Sequence, residues 1–417
     1  MLHKSVTLVY LARAALISLL LLSDCGGGEK EQEIGWPRFR GPRGDGISTE
    51  TEWDPKALNG GPRVLWKKNV GEGLSNVAIR NNHLYTMGAR PEGVVVVVCL
   101  DAEKGTEFWQ HSIVEPQPSY STPTLDGNSV YALSNKGILM CLNAKNGKVR
   151  WQKDIVEEFQ VEKVKYGYAG SPVIAGDSLF LNVNASGLAL NKNTGDLIWT
   201  SEPHTHKGHR EYYGTPVIYG SHGKQGLLLA ACIGITSVEL ESGNKLWSHT
   251  WTPAEIDYGV NPVVFENKVF VSTTSSFVNL EIGENEPQVI WQNNNLMSEM
   301  YNSVLADKYL YGFHGIHDKP GTLRCIEWET GNLMWEKKMK PVQLISANGK
   351  LIILEQIGTL HFVEASPSGY AELSSCDVVE NEPRPGRFYT NPVLYKGRIY
   401  CRNLAGDLIC IDVSMQS

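Results

Sequence analysis

Short apolar runs alternate with polar turns along the whole chain beyond residue 35. Residues 130–132, 179–181, 269–271 and 399–401 are examples, and each of these runs follows a polar turn and has the length of a strand. No segment places its apolar residues at helical spacing over a useful length. The pattern therefore predicts an all-β fold of many short antiparallel strands joined by tight turns.

Tryptophans recur at intervals of 42 to 48 residues, which reveals a repeated unit. They are Trp109, Trp151, Trp199, Trp247, Trp291 and Trp335. All except Trp291 stand four residues after a Gly, which itself follows an acidic or amide residue. An Asp or Asn side chain can bond the backbone two residues on, and Gly supplies the left-handed φ that closes a hairpin. A unit of this length predicts a four-stranded propeller blade whose outer strand ends at the Trp.

Most units also share a start, a small polar residue followed by Pro. These starts are Thr122-Pro123, Ser171-Pro172, Thr215-Pro216, Asn261-Pro262 and Asn391-Pro392. An apolar strand follows each start, and we expect this strand to be the innermost of its blade.

The ends of the chain complement each other. The last unit stops after residues 408–412 without an outer strand, while residues 64–66 form an early strand with no unit before it. Pairing the two would close the ring, remove the open sheet edges and give eight blades. Seven blades remain an alternative if the degenerate unit between Trp335 and Tyr389, with its outer strand near residues 370–373, is not a full blade.

Composition agrees with a globular β protein and restricts the partners. The chain is 42% hydrophobic and 20% charged, with 41 glycines among 417 residues, which excludes a disordered chain. The net charge is -7 and the pI about 5.9, so no general basic field exists to bind nucleic acid.

The N-terminus has the pattern of a targeting segment. Residues 1–25 carry an apolar stretch from Val6 to Leu22, interrupted by Arg13. Cys25 follows where a lipobox places its acylated cysteine, although Asp24 stands where a small residue is preferred. Residues 26–35 are a polar tether, and residues 36–413 form the propeller. We expect a lipoprotein anchored at Cys25, with simple secretion or an uncleaved anchor as alternatives.

Four of the eight cysteines occupy one slot of the repeat and are spread too widely to suggest a disulfide framework. They are Cys99, Cys141, Cys325 and Cys410. A small buried apolar side chain is expected at this slot, so we interpret these cysteines as packing residues.

The chain resembles the bacterial pyrroloquinoline-quinone (PQQ)-like β-propeller repeat proteins. The likeness rests on the Asp-Ala-x-x-Gly-x-x-x-Trp repeat, as at residues 101–109, and on the entry segment at residues 36–48, which begins Trp-Pro-Arg-Phe-Arg-Gly-Pro. It extends from Trp36 to Val413. It implies an eight-bladed propeller but no single activity, because the superfamily includes quinoprotein dehydrogenases and non-catalytic relatives such as the lipoprotein BamB.

The catalytic relatives imply a calcium ion and PQQ in a central funnel, and often a lid made by two adjacent cysteines. This chain has no adjacent cysteines. It does have a recurring Tyr just before the blade starts, and these tyrosines should crowd one mouth of the channel: Tyr120, Tyr168, Tyr213, Tyr258, Tyr301 and Tyr389. Nearby polar residues are Arg210, Glu211, Asp257, Asn261, Glu299, Asn302, Arg387 and Asn391.

Two interpretations of this mouth stay open. In the first, a planar cofactor lies among the tyrosines, Arg210 or Arg387 binds its carboxylates, and Asp257 or Glu299 binds a cation with Asn261 and acts as the base. Asn302 would add a polar contact. In the second, which we favour, the tyrosines fill the channel end and bond across blades.

The histidines give weaker signals. His204, His206 and His209 lie close together, but no carboxylate or Cys is placed to complete a metal site, so a solvated loop is the better interpretation. His314 and His317 are also predicted to lie in a loop between strands.

The sequence favours a monomeric, non-enzymatic propeller in the periplasm that binds an envelope protein or polymer. The alternative is a PQQ- and calcium-dependent dehydrogenase acting on an alcohol or sugar. A third, remoter hypothesis is carbohydrate binding through the exposed tyrosines Tyr213 and Tyr258.

Overall fold

The apolar runs form strands, and the strands group into eight sheets set around a channel. The computed structural model describes residues 35–161, 166–183, 186–202, 213–221, 224–231, 234–251, 259–272, 277–282, 286–316, 318–379 and 386–415. The described residues belong to one compact unit. Residues 1–34, with the predicted targeting segment and Cys25, lie outside this description.

Each sheet contains a blade of four antiparallel strands, and in seven of the eight blades these strands follow one another in the chain. Blade 1 contains β4 (Ala78–Arg80), β5 (His83–Arg90), β6 (Val94–Asp101) and β7 (Glu107–Val114). Blade 2 contains β8 (Thr124–Asp126), β9 (Ser129–Leu133), β10 (Ile138–Asn143) and β11 (Val149–Asp154). Blade 3 contains β12 (Val173–Ala175), β13 (Ser178–Val183), β14 (Ser186–Asn191) and β15 (Leu197–Thr200). Blade 4 contains β16 (Val217–Ser221), β17 (Lys224–Ala231), β18 (Gly234–Glu239) and β19 (Lys245–Thr250).

The second half of the ring repeats this arrangement. Blade 5 contains β20 (Val263–Phe265), β21 (Lys268–Ser272), β22 (Phe277–Glu281) and β23 (Gln288–Asn293). Blade 6 contains β24 (Val304–Ala306), β25 (Tyr309–His314), β26 (Gly321–Glu327) and β27 (Leu333–Met339). Blade 7 contains β28 (Val342–Ala347), β29 (Lys350–Glu355), β30 (Thr359–Glu364) and β31 (Glu372–Asp377). Blade 8 contains β32 (Val393–Tyr395), β33 (Arg398–Arg402) and β34 (Asp407–Asp412) together with β3 (Val64–Asn69).

Blade 8 is completed by β3, a strand that precedes blade 1 in the chain. β3 pairs antiparallel with β34, and Trp66 lies opposite Cys410. Blade 7 has four strands like the others, although its outer strand carries no tryptophan. The predicted eight-bladed ring with N-terminal closure is therefore confirmed, and the seven-bladed alternative is wrong.

The turn chemistry of the repeat is visible in the hairpin before Trp109. The Asp101 carboxylate accepts a hydrogen bond from the amide of Glu103 at 2.8 Å, and Gly105 has a φ of 67°. A Cβ atom on Gly105 would lie 2.7 Å from the Trp66 ring of the neighbouring blade. Glycine is thus required twice here, for the left-handed backbone and for the close approach of the tryptophan.

The tryptophans join each blade to the next. The indole Nε1 donates to a backbone carbonyl of the following blade at 2.7 to 3.2 Å in six cases. Trp247 differs, since its Nε1 donates to the Tyr219 hydroxyl of its own blade at 3.0 Å. The four repeat cysteines are buried and unpaired, each opposite the tryptophan of its own blade.

Helical structure is nearly absent from the described part of the chain. One short helix, α1 (Ile155–Phe159), follows blade 2, and the Asp154 side chain caps it by accepting from the amides of Val156 and Glu157. No described helix is long and apolar enough to span a membrane.

Candidate functional site at the channel mouths

The channel has two mouths that are built differently. One mouth lies where the inner strands begin, next to the predicted tyrosines, and we call it the tyrosine mouth. The other lies where the inner strands end, and residues 35–48, which we call the strap, cross it. The strap contains the two remaining strands, β1 (Gly35–Trp36) and β2 (Ile47–Ser48).

The strap is attached to the inner strands through its backbone. β1 pairs antiparallel with β4, with Trp36 opposite Ile79. The Pro37 carbonyl accepts from the Leu125 amide of blade 2 at 2.8 Å. The Gly46 carbonyl accepts from the Ser346 amide of blade 7 at 2.9 Å, and β2 continues parallel to β28. The strap therefore spans the mouth from blades 1 and 2 to blade 7.

Arg40 fixes the middle of the strap. Its side chain is buried, with the residue 2% exposed, and Nη2 donates to the carbonyls of Asp45 at 2.7 Å and Ser303 at 2.6 Å. Nε donates to the Gly44 carbonyl at 3.3 Å. Burial lowers the Arg40 pKa to about 10, and the charge of Asp45 opposes this shift, so the guanidinium stays charged at neutral pH.

Two cavities lie between the strap and the inner strands of blades 3 to 6. One of about 320 Å³ is bordered by Arg38, Phe39 and residues of blades 3 and 4, and it reaches Thr215 and Asn261. The other, about 830 Å³, is bordered by Arg40, Arg43 and the inner strands of blades 4, 5 and 6. The strap thus covers one side of the mouth more completely than the other.

A ring of hydrogen bonds surrounds the channel at the tyrosine mouth. It is formed by the polar residues that start the blades, and each backbone amide donates to the side chain of the next blade. The links are Asn76 to Thr122 at 3.1 Å, Thr122 to Ser171 at 2.9 Å, Ser171 to Thr215 at 2.9 Å, Thr215 to Asn261 at 3.3 Å and Asn261 to Asn302 at 2.8 Å.

Side-chain amides complete the ring across the remaining blades. Gln343 Nε2 donates to the Met300 carbonyl at 3.4 Å, Asn391 Nδ2 to the Leu344 carbonyl at 2.9 Å, and Asn76 Nδ2 to the Asn391 carbonyl at 3.0 Å. Asn261 and Asn302, which the sequence suggested as cofactor contacts, are buried in this ring, and each Oδ1 accepts a backbone amide. The blade-start motif thus joins neighbouring blades.

A cluster of four side chains stands at the tyrosine mouth. Arg387 Nη1 contacts the Asp318 carboxylate, and the Tyr389 hydroxyl donates to Asp318 Oδ1 at 3.0 Å. Gln356 Nε2 donates to the same oxygen at 2.6 Å, and Arg387 Nη1 donates to the Tyr389 hydroxyl at 3.2 Å. These four residues, which we call the mouth cluster, come from the loops of blades 6, 7 and 8. The cluster therefore connects three blades.

Glu299 and Tyr301 lie deeper at the same mouth. Glu299 is 3% and Tyr301 1% exposed, and the Tyr301 ring packs edge-on against Phe313 with the ring centres 5.0 Å apart. Burial raises the Tyr301 pKa above its ordinary value, the charges of Tyr389 and Glu299 add to the shift, and Arg387 opposes it. The sequence suggested Glu299, Tyr301, Arg387 and Tyr389 for one mouth, and the structure places all four there.

The remaining tyrosines are less concentrated. Tyr168 is buried beside blade 2, and its amide donates to the Asn135 carbonyl at 2.8 Å. Tyr213 packs against Tyr166, with ring centres 6.0 Å apart. Arg210, Asp257 and Tyr258 lie outside the described residues. The same holds for Glu211, His204, His206, His209 and His317, whereas the His314 Nδ1 accepts from the Met297 amide at 3.1 Å.

The described acidic side chains of this mouth do not converge as the ligands of a metal ion would. Asp318 has a partly exposed carboxylate at this mouth. Arg387, Tyr389 and Gln356 already bond to that carboxylate. Among the described residues no group of three or more His, Cys, Asp or Glu side chains could hold a metal ion. Calcium binding needs several converging oxygen ligands.

Asp318 and Gln356 were not identified from the sequence. Each lies in a loop between the second and third strands of its blade, and neither is part of the repeated motif. The sequence signal that could have identified them is a polar residue in the loop between the second and third strands, present in two consecutive blades.

Comparisons with known proteins agree with this architecture. The sequence model of the family described as "Outer membrane protein assembly factor BamB" matches residues 91–337, more than half of the chain. The structure of BamB from Moraxella catarrhalis is 14% identical, with a TM-score of 0.63, and the match covers 84% of this chain and 99% of that one. No curated protein sequence matches.

Two dehydrogenases share the same fold. Quinohemoprotein alcohol dehydrogenase from Comamonas testosteroni is 11% identical with a TM-score of 0.68, covering 92% of this chain and 81% of that chain. A europium-containing methanol dehydrogenase is 12% identical with a TM-score of 0.67, covering 89% of both chains. At these identities the similarity shows the fold and leaves the activity open.

Proposed function

The chain belongs to the PQQ-like propeller family whose sequence model is described as outer membrane protein assembly factor BamB, and from this premise we propose that it is a non-enzymatic scaffold of the cell envelope. In this role the ring presents its faces to an envelope protein or polymer. The strands provide a rigid frame, and the loops at the mouths make the contacts.

One observation carries the proposal, namely the occupied carboxylate of the mouth cluster. A carboxylate that acts as a base needs a lone pair directed at the substrate. Asp318 of blade 6 instead accepts hydrogen bonds from groups on blades 7 and 8, and so holds loops of three blades together. The side chains of Arg387 and Asp318 are still 55% and 32% exposed, so the cluster offers a rigid polar surface to a partner.

The proposed location is the periplasm, with the chain anchored through Cys25. The BamB-like family supports an envelope protein, and the sequence of residues 22–25 supports lipid attachment. A tether of ten residues reaches at most about 35 Å when fully extended. Metabolic labelling with a palmitate analogue tests the anchor, since a Cys25→Ser variant should lose the label and leave the membrane fraction.

Charge reversal in the mouth cluster tests the scaffold role. We expect Arg387→Glu to abolish in vivo cross-linking of the full-length protein to its envelope partner, because it reverses the exposed charge of the proposed contact. Lys68→Glu is the matched control, since Lys68 pairs with Glu107 on the outer strands at 3.3 Å. Equal cross-linking in both variants, with both folded, would contradict the proposed face.

A further inference from the structure

Part of the inner ring is covered by the strap, and an adjoining part is not. The strap backbone covers the channel-facing edges of β4, β8 and β28. β16, β20 and β24 are each the edge strand of their sheet next to the channel. No described segment pairs with their channel-facing edges. Residues of these three strands border the 830 Å³ cavity beside the strap.

The repeat shows what these edges offer. In blade 2, Leu125 lies opposite Val130 and turns its amide toward the strap, where it donates to Pro37. Val264 and Leu305 have the equivalent positions in blades 5 and 6, so their amides face the channel too. A row of backbone donors and acceptors at a sheet edge is satisfied best by another extended backbone.

The strap shows that this mode of contact works in this molecule. It meets β4 in the antiparallel direction and β28 in the parallel direction. Inner edges of this ring therefore accept an added strand in either direction. The uncovered edges continue this existing interface around the mouth.

The two walls of the cavity differ in chemistry. The inner-strand wall is apolar and includes Val217, Val263 and Leu305. The strap wall carries the guanidinium groups of Arg40 and Arg43 and the carboxylate of Asp45, which Arg43 contacts at 2.7 Å. Arg40 Nη1 is buried without a hydrogen-bond partner. The turns after the inner strands add Glu266, Asp307 and Lys308.

We propose that this cavity binds an extended segment of a partner protein by strand addition. The segment places apolar side chains against the inner strands of blades 4 to 6 and a carboxylate toward Arg40 and Arg43. Opposite charge on the ligand satisfies the spare donor of Arg40 and uses the exposed side of Arg43. This inference rests on the proposed scaffold function, because it names a second contact through which such a protein holds its partner.

A linear peptide library tests the proposal without knowledge of the partner. Displayed random octapeptides are selected on the purified full-length chain, and one enriched peptide is synthesised and its affinity measured by fluorescence anisotropy. We expect alternating apolar residues with an acidic residue. Methylation of a backbone nitrogen that bonds the edge should weaken binding about five- to tenfold, the effect of one lost hydrogen bond.

Two variants locate the site on the chain. Val264→Trp fills the cavity and should weaken the peptide more than tenfold. Arg43→Gln leaves the core unchanged and should weaken it about fivefold, which keeps the test valid if the tryptophan variant misfolds. Arg150→Gln, an exposed arginine on the outer strand of blade 2, is the matched control and should bind as the wild type does.

The outcomes separate clearly. The proposal is overturned if no peptide is enriched, if the variants bind as tightly as the wild type, or if N-methylation at every backbone position has no effect. Failure of the proposed function is a different result, because the Arg387→Glu variant tests partner contact at the opposite mouth. If the peptide binds and the Arg387→Glu variant keeps full cross-linking to the partner, docking takes place at the strap mouth alone.

Discussion

The two mouths of the channel are held by different kinds of contact. At the strap mouth, the strap, which lies outside the blade repeats, crosses the opening. It is held by backbone pairing and by one buried cation, Arg40. At the tyrosine mouth, side chains from successive repeats bond across the blades, and Asp318 joins three loops. The comparison shows that the blade repeat by itself leaves the ends of the inner strands without contacts across the channel. This chain supplies those contacts in two different ways.

Removing the charge of Arg40 should have the largest effect. Arg40→Met leaves the buried carbonyls of Gly44, Asp45 and Ser303 without their donor, and we expect a loss of about 2–3 kcal/mol in the free energy of unfolding. Urea denaturation measures the loss, and amide exchange at Leu125 and Ser346 should accelerate. Arg38→Met is the control, because Arg38 bonds only the Pro42 carbonyl within the strap, and a loss equal to that of Arg40→Met would contradict the anchoring role.

Breaking the polar ring should cost somewhat less. Asn302→Leu keeps the branching of the side chain but removes the acceptor of the buried Asn261 amide, and we expect a loss of about 2 kcal/mol. Thr359→Val removes a hydroxyl that bonds Asp377 on the exposed outer strands and should cost less than about 0.5 kcal/mol. Similar urea midpoints for the two variants would argue against the ring as a structural element.

Blade 7, which supplies Gln356, also contains His361, and this histidine should make the free energy of unfolding depend on pH. Burial lowers the His361 pKa, but the hydrogen bond to Glu372 at 2.8 Å and the Glu355 carboxylate 3.6 Å from Nε2 outweigh it and raise the pKa above the ordinary value. The stabilisation is therefore complete below about pH 6.5, the unfolded value, and is lost as pH rises through the folded pKa.

Urea midpoints at pH 6.0 and 8.5 measure this effect. We expect the wild type to lose about 1 kcal/mol over this interval, the order of a charge-assisted hydrogen bond, and His361→Gln to show a flatter profile. A variant with an unchanged pH dependence would show that other groups are responsible.

The smallest effect on stability is expected at the mouth cluster. Asp318→Asn should change the free energy of unfolding by less than about 0.5 kcal/mol, because Asp318 and Arg387 are partly exposed and water replaces their contact. Urea denaturation beside Arg40→Met measures the difference between the mouths. A loss above about 2 kcal/mol would show that the tyrosine mouth depends on this ion pair.

The sequence predicted the regular part of the molecule well. Trp109 and Gly105 belong to a motif whose physics is local, so the number of blades, their strands and the closure through Trp66 followed from the repeat. The strap could not be predicted, because residues 36–48 have no periodic pattern and bond through backbone atoms that every residue possesses. Asp318 and Arg387 are likewise 69 positions apart in the chain, and only the closed ring brings them into contact.

The central claim is that this propeller is a scaffold without a cofactor, and a calorimetric titration tests it most directly. The purified full-length chain is titrated with PQQ in excess calcium, followed by an assay of alcohol and sugar oxidation with an artificial electron acceptor. The account predicts no saturable binding and no turnover above the free cofactor. Saturable binding near one PQQ per chain, together with substrate oxidation, would contradict it.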